Sequence, residues 1–198
     1  MRRSLPHCLL PLALLSILLV GCDGTKSESE ERRDPWSIVF VPAVEDPFYR
    51  AIGAGAAEAA EERGLRYSET EYPGEWAVAA QREILVTHDF SEADVLLVGP
   101  VSTMALNAEL RAIAEMGIPI VTVDTYVGDG DYSSGEDGYA LSFVGTDNWN
   151  GGKEVAERLA ELVGKEGSVY VNTTHSDVSS VSNRVEGFIE GMAEFPNM

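Results

Sequence analysis

The chain has 198 residues and carries 33 acidic against 14 basic side chains, which gives a formal net charge of −19 at pH 7. This balance excludes nucleic acid as an expected partner, because phosphate backbones are bound by basic patches. The acidic residues are spread along the sequence, as is typical of the solvated surface of an exported protein.

The first 21 residues have the pattern of an export signal. A basic start at Arg2 precedes an apolar run over 9–20, and small residues then lead to Cys22. The run is short for the alternative, a transmembrane anchor, which needs about 20 apolar residues. The closing sequence L-V-G-C resembles the box at which bacterial lipoproteins are cut and lipidated on the new terminal cysteine. We therefore expect a lipoprotein signal peptide over 1–21 and a lipid on Cys22.

The two cysteines leave no thiol for the exported body of the protein. Cys8 lies in the segment that would be removed and Cys22 would carry the lipid, so no disulfide is expected. Residues 22–35 include the run K-S-E-S-E-E-R-R-D, which has no apolar side chain. This composition predicts a flexible tether between the membrane and the folded domain.

A strand, a short acidic turn and a long helix are predicted over 36–64. Residues 38–41 are β-branched or aromatic without polar alternation, as is typical of a parallel strand buried on both faces. Pro42 ends this strand, and Gly64 follows the last turn of a helix rich in alanine and glutamate.

The turn between them, D-P-F-Y, falls where open α/β sheets bind ligands, at the carboxyl end of a strand. Pro47 fits the first helical turn and Asp46 can cap the helix. The rings of Phe48 and Tyr49 can pack on an apolar face of a ligand, with core packing as the alternative. Asp46 can serve both as a cap and as a ligand through different oxygens.

Further strand and helix patterns follow at regular spacing. Strands are predicted over 65–70, 94–98 and 118–123, with helices over 76–88 and from Ser102 or Thr103 to about Gly117. Four such steps predict a parallel, doubly wound sheet with right-handed crossovers and the order 2-1-3-4. After a surface loop over 126–139, the pattern predicts strands over 141–145 and 168–172 and helices over 151–163 and 180–194.

Five motifs resemble, in order, those of the periplasmic sugar-binding proteins of the ribose-binding type. They are D-P-F-Y, G-P-V-S-T, I-P-I-V-T-V-D-T, G-T-D-N-W-N-G-G and R-V-E-G-F. The resemblance implies the α/β fold of type I periplasmic binding proteins, with a doubly wound parallel-sheet lobe expected over 36–140. A second α/β lobe would begin with the fifth strand, and residues 141–198 would be an incomplete part of it, so we expect a C-terminally truncated chain.

Two residues at the end of the fourth strand are candidate ligands. Asp124 carries a carboxylate that can accept two hydroxyl hydrogen bonds, as vicinal sugar hydroxyls require, and a turn residue is the alternative. Thr125 stands where many members of the family have arginine, so the site would lack one charged donor.

Arg184 is the candidate ligand of the second lobe. It lies in R-V-E-G-F, whose arginine in the family donates a fork of hydrogen bonds to the sugar. A surface ion pair with Glu186 or Glu190 is the alternative. Asp147 and Asn148 are interpreted as helix caps rather than ligand contacts.

The resemblance implies a lipid-anchored solute-binding protein that captures a monosaccharide and passes it to the membrane permease of an ABC importer. Such a protein would act as a monomer in the periplasm or at the cell surface, with no cofactor, metal or catalysis. A sensory receptor subunit of the same fold is the alternative. An exported enzyme is less favoured, because His175, Ser176 and Asp177 are adjacent in sequence and catalytic triads come from separated positions.

Overall fold

The centre of the fold is a parallel sheet, seen in a computed structural model that describes residues 35–135 and 138–198. Its strands are β1 (Ser37–Val41), β2 (Arg66–Glu69), β3 (Val95–Val98), β4 (Ile120–Val123) and β5 (Ala140–Val144). The helices among these residues are α1 (Pro47–Glu62), α2 (Val78–Thr87), α3 (Asn107–Glu115), α4 (Asn148–Leu162) and α5 (Ser179–Met192). The strand order is β2-β1-β3-β4-β5. The predicted α/β class and the order 2-1-3-4 are confirmed, and a fifth strand is added.

β1 and β3 lie inside the sheet, and the carboxyl half of β1 is buried on both faces. Val39, Phe40 and Val41 are all buried although successive side chains of a strand point to opposite faces. Val39 pairs in register with Leu96 of β3. Both faces of the sheet are therefore covered, which explains why these strands are continuously apolar.

The start and end of α1 follow the predicted signals. The Asp46 carboxylate accepts a hydrogen bond from the Tyr49 backbone N–H at 2.8 Å, and Pro47 occupies the first turn. Gly64, with φ of +66°, takes the left-handed conformation after the last turn. α3 begins later than predicted, because Ser102 caps a separate turn and Asn107 opens the helix.

β5 is the edge strand of the sheet, beside β4. It pairs in parallel with β4, with Val121 opposite Ser142 and Val123 opposite Val144. Parallel strands begin at the same edge of a sheet, so the chain crosses back to the amino edge between β4 and β5. β5 therefore extends the first sheet instead of opening a second one.

The sixth strand predicted over 168–172 is not present. These residues are exposed, including 89% of Tyr170, and none of them pairs with a strand in the described part of the chain. The short apolar run over 169–171 favours a strand, but a strand also needs a hydrogen-bonded neighbour. α4 and α5 instead pack closely on each other, since a Cβ at Gly187 would collide with the carbonyl of Trp149.

None of the helices in 35–135 and 138–198 combines the length and the apolar character that a membrane span requires. The predicted signal peptide, most of the tether and the lipidated Cys22 lie outside the described residues.

Candidate functional site

The candidate site lies at the carboxyl ends of the strands, around Asp124. Asp124 follows β4 directly and has a φ of +63°, in the left-handed region that few residues other than glycine adopt. Strained backbone of this kind is concentrated at functional sites. Its carboxylate Oδ2 accepts hydrogen bonds from the hydroxyls of Tyr49 at 2.9 Å, Ser180 at 3.4 Å and Thr125 at 3.5 Å.

Tyr49 is a core residue whose hydroxyl reaches the site. Its side chain is only 1% exposed, so it offers no ring face to a ligand. Burial, and then the negative charge of Asp124, raise the pKa of the Tyr49 hydroxyl far above its ordinary value. Tyr49 therefore remains a hydrogen-bond donor to Asp124 throughout the physiological pH range.

Phe48 has the opposite placement. Its ring is 54% exposed and meets the Tyr49 ring edge-on, with 5.3 Å between centroids. Phe48 and Asp124 line one cleft of about 230 Å³, together with Ile52, Val123, Val144, Gly145 and Thr146. An accessible aromatic ring and a carboxylate thus share one cleft.

The other two predicted residues of this edge have internal contacts. Asp46 is half-buried and uses its Oδ1 as the cap of α1. The side chain of Thr125 is fully buried and donates to Asp124. Thr125 therefore supports the carboxylate and does not line the cleft.

The structure does not bring Arg184 into the cleft of Asp124. The Arg184 guanidinium donates from Nη2 to Oδ1 of Asn148, which is buried and also donates to the Thr146 carbonyl. In the described residues Arg184 forms no ion pair, and Glu190 pairs with Lys153 at 3.3 Å. Arg184 lines a separate cleft of about 440 Å³ with apolar neighbours that include Val169, Val171 and Phe188.

Gln81 is a structural residue of the site that the sequence analysis missed. It is 0% exposed and its amide donates to the carbonyls of Pro42 at 3.0 Å and Gly99 at 2.8 Å. Its Oε1 accepts from the Val101 backbone N–H at 2.9 Å. Gln81 thereby ties together the loops that follow β1 and β3. Its position one turn before the apolar Leu85 on α2 was the available signal.

The segment before α5 docks on the same edge of the sheet, which was also not predicted. The ring of His175 stacks on Trp76, with 5.1 Å between centroids and 16° between planes. The Thr103 backbone N–H donates to the Asp177 carbonyl at 3.0 Å, and the Tyr126 N–H to the Ser179 hydroxyl at 3.0 Å. α5 therefore begins beside the carboxyl end of β4, where Ser180 reaches Asp124.

The cleft combines a hydrogen-bond acceptor with an apolar face. The carboxylate of Asp124 can accept hydrogen bonds from hydroxyl groups, and the exposed ring of Phe48 can pack on C–H groups. The described residues contain no group of three or more side chains suited to hold a metal ion. The arrangement can therefore bind an uncharged hydroxylated molecule through one acceptor and one apolar face.

Two curated proteins are similar in sequence to most of this chain. The chain is 23% identical over 185 residues to the ribose import binding protein RbsB of Bacillus subtilis (strain 168). The alignment covers 89% of this chain and 57% of that protein. The chain is 23% identical over 160 residues to the D-apiose import binding protein of Actinobacillus succinogenes, covering 81% and 49%. The chain spans about half the length of the curated relatives it matches.

Among solved structures, an ABC transporter solute binding protein from Agrobacterium vitis, bound with alpha-D-tagatopyranose, has a TM-score of 0.77. Its sequence is 33% identical to this one, and the alignment covers 82% of this chain and 55% of that chain. A family described as the periplasmic binding protein domain matches residues 38–198. This match covers most of the chain, which therefore belongs to the periplasmic binding protein domain family.

Proposed function

We propose that this chain is the ligand-binding part of a solute-binding protein that captures a monosaccharide, a ribose-like pentose or a hexose, for an ABC-type importer. The observation that carries the proposal is the cleft shared by Asp124 and Phe48 at the carboxyl ends of β1 and β4. The substrate class is supported by two relatives that are named as import binding proteins for ribose and D-apiose.

A two-lobed arrangement is part of the proposal. Residues 36–140, extended by β5 to Val144, would form the ligand-binding lobe, and α4 and α5 would belong to a second lobe. Arg184 would then reach the sugar from the second lobe when the two lobes close around it by a hinge motion. Its present partner, Asn148, would be exchanged for sugar hydroxyls in that step.

Anchoring by a lipid on Cys22 is the second part of the proposal, supported by the L-V-G-C sequence alone. Two acyl chains on one cysteine hold a protein stably at a membrane. Fractionation of cells that express the wild-type protein should place it in the membrane pellet. Cys22→Ser should move it to the soluble fraction or leave the precursor uncut. A soluble wild-type protein would contradict lipidation without touching the sugar proposal.

Calorimetry on the full-length protein tests the sugar proposal. The probes are D-ribose, D-arabinose, D-allose and D-tagatose, and at least one should bind in the micromolar range or tighter. Asp124→Asn removes the charge but keeps a residue that tolerates a positive φ. It should weaken binding by about 1.5–3 kcal/mol, the contribution of a charged hydrogen bond.

Asp94→Asn is the matched control. The Asp94 carboxylate accepts the Ser37 backbone N–H at 2.8 Å, at the opposite, amino end of the sheet. This substitution should leave sugar affinity unchanged. If Asp94→Asn and Asp124→Asn weaken binding equally, or if no sugar of the panel binds the wild type, the proposal is wrong.

A further inference from the structure

Tyr49 makes the shortest hydrogen bond to the carboxylate of Asp124. Its hydroxyl donates to Oδ2 at 2.9 Å, whereas Ser180 and Thr125 lie at 3.4 and 3.5 Å from the same oxygen. In the described part of the chain, Oδ1 accepts no hydrogen bond. One oxygen of the carboxylate is thus held by the protein, and the other is available as an acceptor.

The position of the Tyr49 hydroxyl is fixed from several sides. The backbone N–H of Tyr49 is bound to the cap Asp46, so the first turn of α1 sets where the side chain begins. A Cβ at Gly99 would lie 2.5 Å from the Tyr49 ring, so the absence of a side chain there makes room for it. Trp76 lies on another side, with 6.1 Å between ring centroids.

The hydrogen bond from Tyr49 holds the Asp124 carboxylate in one position. With φ at +63°, Asp124 holds a left-handed backbone conformation that residues other than glycine adopt uncommonly. The carboxylate faces a cleft open to solvent, where it would otherwise sample several rotamers. A buried donor on Oδ2 limits this freedom and lowers the ordering cost that a ligand must overcome.

We propose that Tyr49 is a positioning residue for the ligand-binding carboxylate: its hydroxyl holds Asp124 Oδ2, so that Oδ1 accepts a hydroxyl of the bound sugar. This inference rests on the proposed function. It assigns the two neighbouring aromatic residues different tasks, since Phe48 offers an exposed ring to the ligand and Tyr49 acts through Asp124. A ring that is 1% exposed cannot stack on a sugar.

The test is a double-mutant cycle on the full-length protein, with the tightest-binding sugar among D-ribose, D-arabinose, D-allose and D-tagatose as the probe. Tyr49→Phe keeps the buried ring and removes only the hydroxyl. It should weaken sugar binding about tenfold. In the Asp124→Asn background the same substitution should change affinity by less than about twofold, because the charged acceptor that Tyr49 positions is gone.

Tyr67→Phe is the matched control. The Tyr67 hydroxyl donates to the Glu69 carboxylate at 3.0 Å. The substitution therefore removes the same kind of hydrogen bond, but on the edge strand β2 and away from the cleft. This variant should bind the sugar with wild-type affinity. A general loss of rigidity in Tyr49→Phe would instead show as equal losses of affinity in both Asp124 and Asp124→Asn backgrounds.

A measurement without ligand separates this inference from the proposed function. Proton NMR of the sugar-free protein should show a slowly exchanging hydroxyl signal that is absent in Tyr49→Phe and displaced in Asp124→Asn. If that signal is present but no sugar binds the wild type, the proposed function fails and the ligand role of Tyr49 fails with it. If sugar binds and Tyr49→Phe has wild-type affinity, or the cycle is additive, the positioning role alone is overturned.

Discussion

The two ends of the described chain are held together in different ways. Residues 35–144 supply the continuous hydrophobic core, which runs in sequence from Val39 to Ala140 and includes the fully buried Phe40 and Leu96. Residues 145–198 bury mainly small side chains such as Ala156 and Ala160. Side-chain burial on both faces of a sheet therefore orders the first region, whereas close backbone approach between two helices orders the second.

The largest expected effect sets a core residue of the sheet against an exposed residue of the second region. Phe40→Ala removes a fully buried ring from β1 and should lower the free energy of unfolding by about 3–5 kcal/mol. Val171→Ala lies in the exposed segment before α5 and should change it by less than about 0.5 kcal/mol. Urea unfolding followed by circular dichroism measures both. Equal losses would mean that the segment around Val171 is packed in solution.

A second substitution tests the close approach of α4 and α5. A Cβ at Gly152 would collide with the Arg184 carbonyl and the Phe188 N–H, so Gly152→Ala should cost about 2 kcal/mol through overpacking. A Cβ at the adjacent Gly151 would meet no atom within 4 Å, so a methyl group fits there. Gly151→Ala should therefore stabilise α4 by about 0.5–1 kcal/mol. Hydrogen exchange across α4 and α5 locates the loss, and a stabilising Gly152→Ala would exclude the tight helix pair.

The first region was the more predictable of the two, for a physical reason. Local sequence signals specify β1 and α1. These are a continuous apolar run, the cap at Asp46 and the left-handed Gly64. Such signals depend on nearby residues and on no distant partner. The predicted strand over 168–172 failed because its formation depends on a neighbouring strand, which no local pattern supplies.

The candidate site was predictable only in part. Strand ends are visible in sequence, so Asp124 and Phe48 could be placed at one edge of the sheet. The buried amide of Gln81 and the contact of Ser180 with Asp124 depend on packing between distant segments. For Phe48 and Tyr49 the sequence left ligand contact and core packing open, because adjacent residues at a helix start point in different directions and the sequence does not show which ring is buried.

The dependence of the free energy of unfolding on alkaline pH tests a residue of the first region, Tyr49. The pKa of Tyr49 is raised by burial and by Asp124, so the native state keeps this proton where the unfolded chain loses it. The resulting stability is complete below about pH 10, the ordinary tyrosine pKa, and falls above it by about 1.4 kcal/mol per pH unit. Tyr49→Phe should flatten this slope. Burial also raises the pKa of Tyr67, and that of Tyr72 to about 12, and both residues contribute alike to the wild type and to Tyr49→Phe.

The control for the alkaline experiment lies in the second region. Tyr170 is 89% exposed, so Tyr170→Phe should leave the free energy of unfolding unchanged at every pH. Unfolding free energies measured between pH 8 and about pH 11 compare the three proteins. If Tyr170→Phe flattens the slope as much as Tyr49→Phe does, the effect does not come from the buried hydroxyl.

The smallest expected effect compares the two residues other than glycine that have a positive φ in the described ranges. Asp124 lies in the first region and Lys165 in the second, both with φ of +63°. Lys165 is exposed after the end of α4, where its backbone N–H is bound to the Ala160 carbonyl and its ammonium lies 5.4 Å from the centroid of the Phe195 ring. Lys165→Gly relieves the strain and should raise the free energy of unfolding by about 0.5 kcal/mol.

The same substitution at Asp124 should have the opposite sign. Asp124→Gly also relieves the backbone, but it leaves the buried Tyr49 hydroxyl without its acceptor, at a cost of about 1–3 kcal/mol. Urea unfolding of both variants measures the pair. Stabilisation at both positions would mean that the Tyr49 bond contributes little to folding, whereas opposite signs would show that the strain at Asp124 is retained because the carboxylate is needed there.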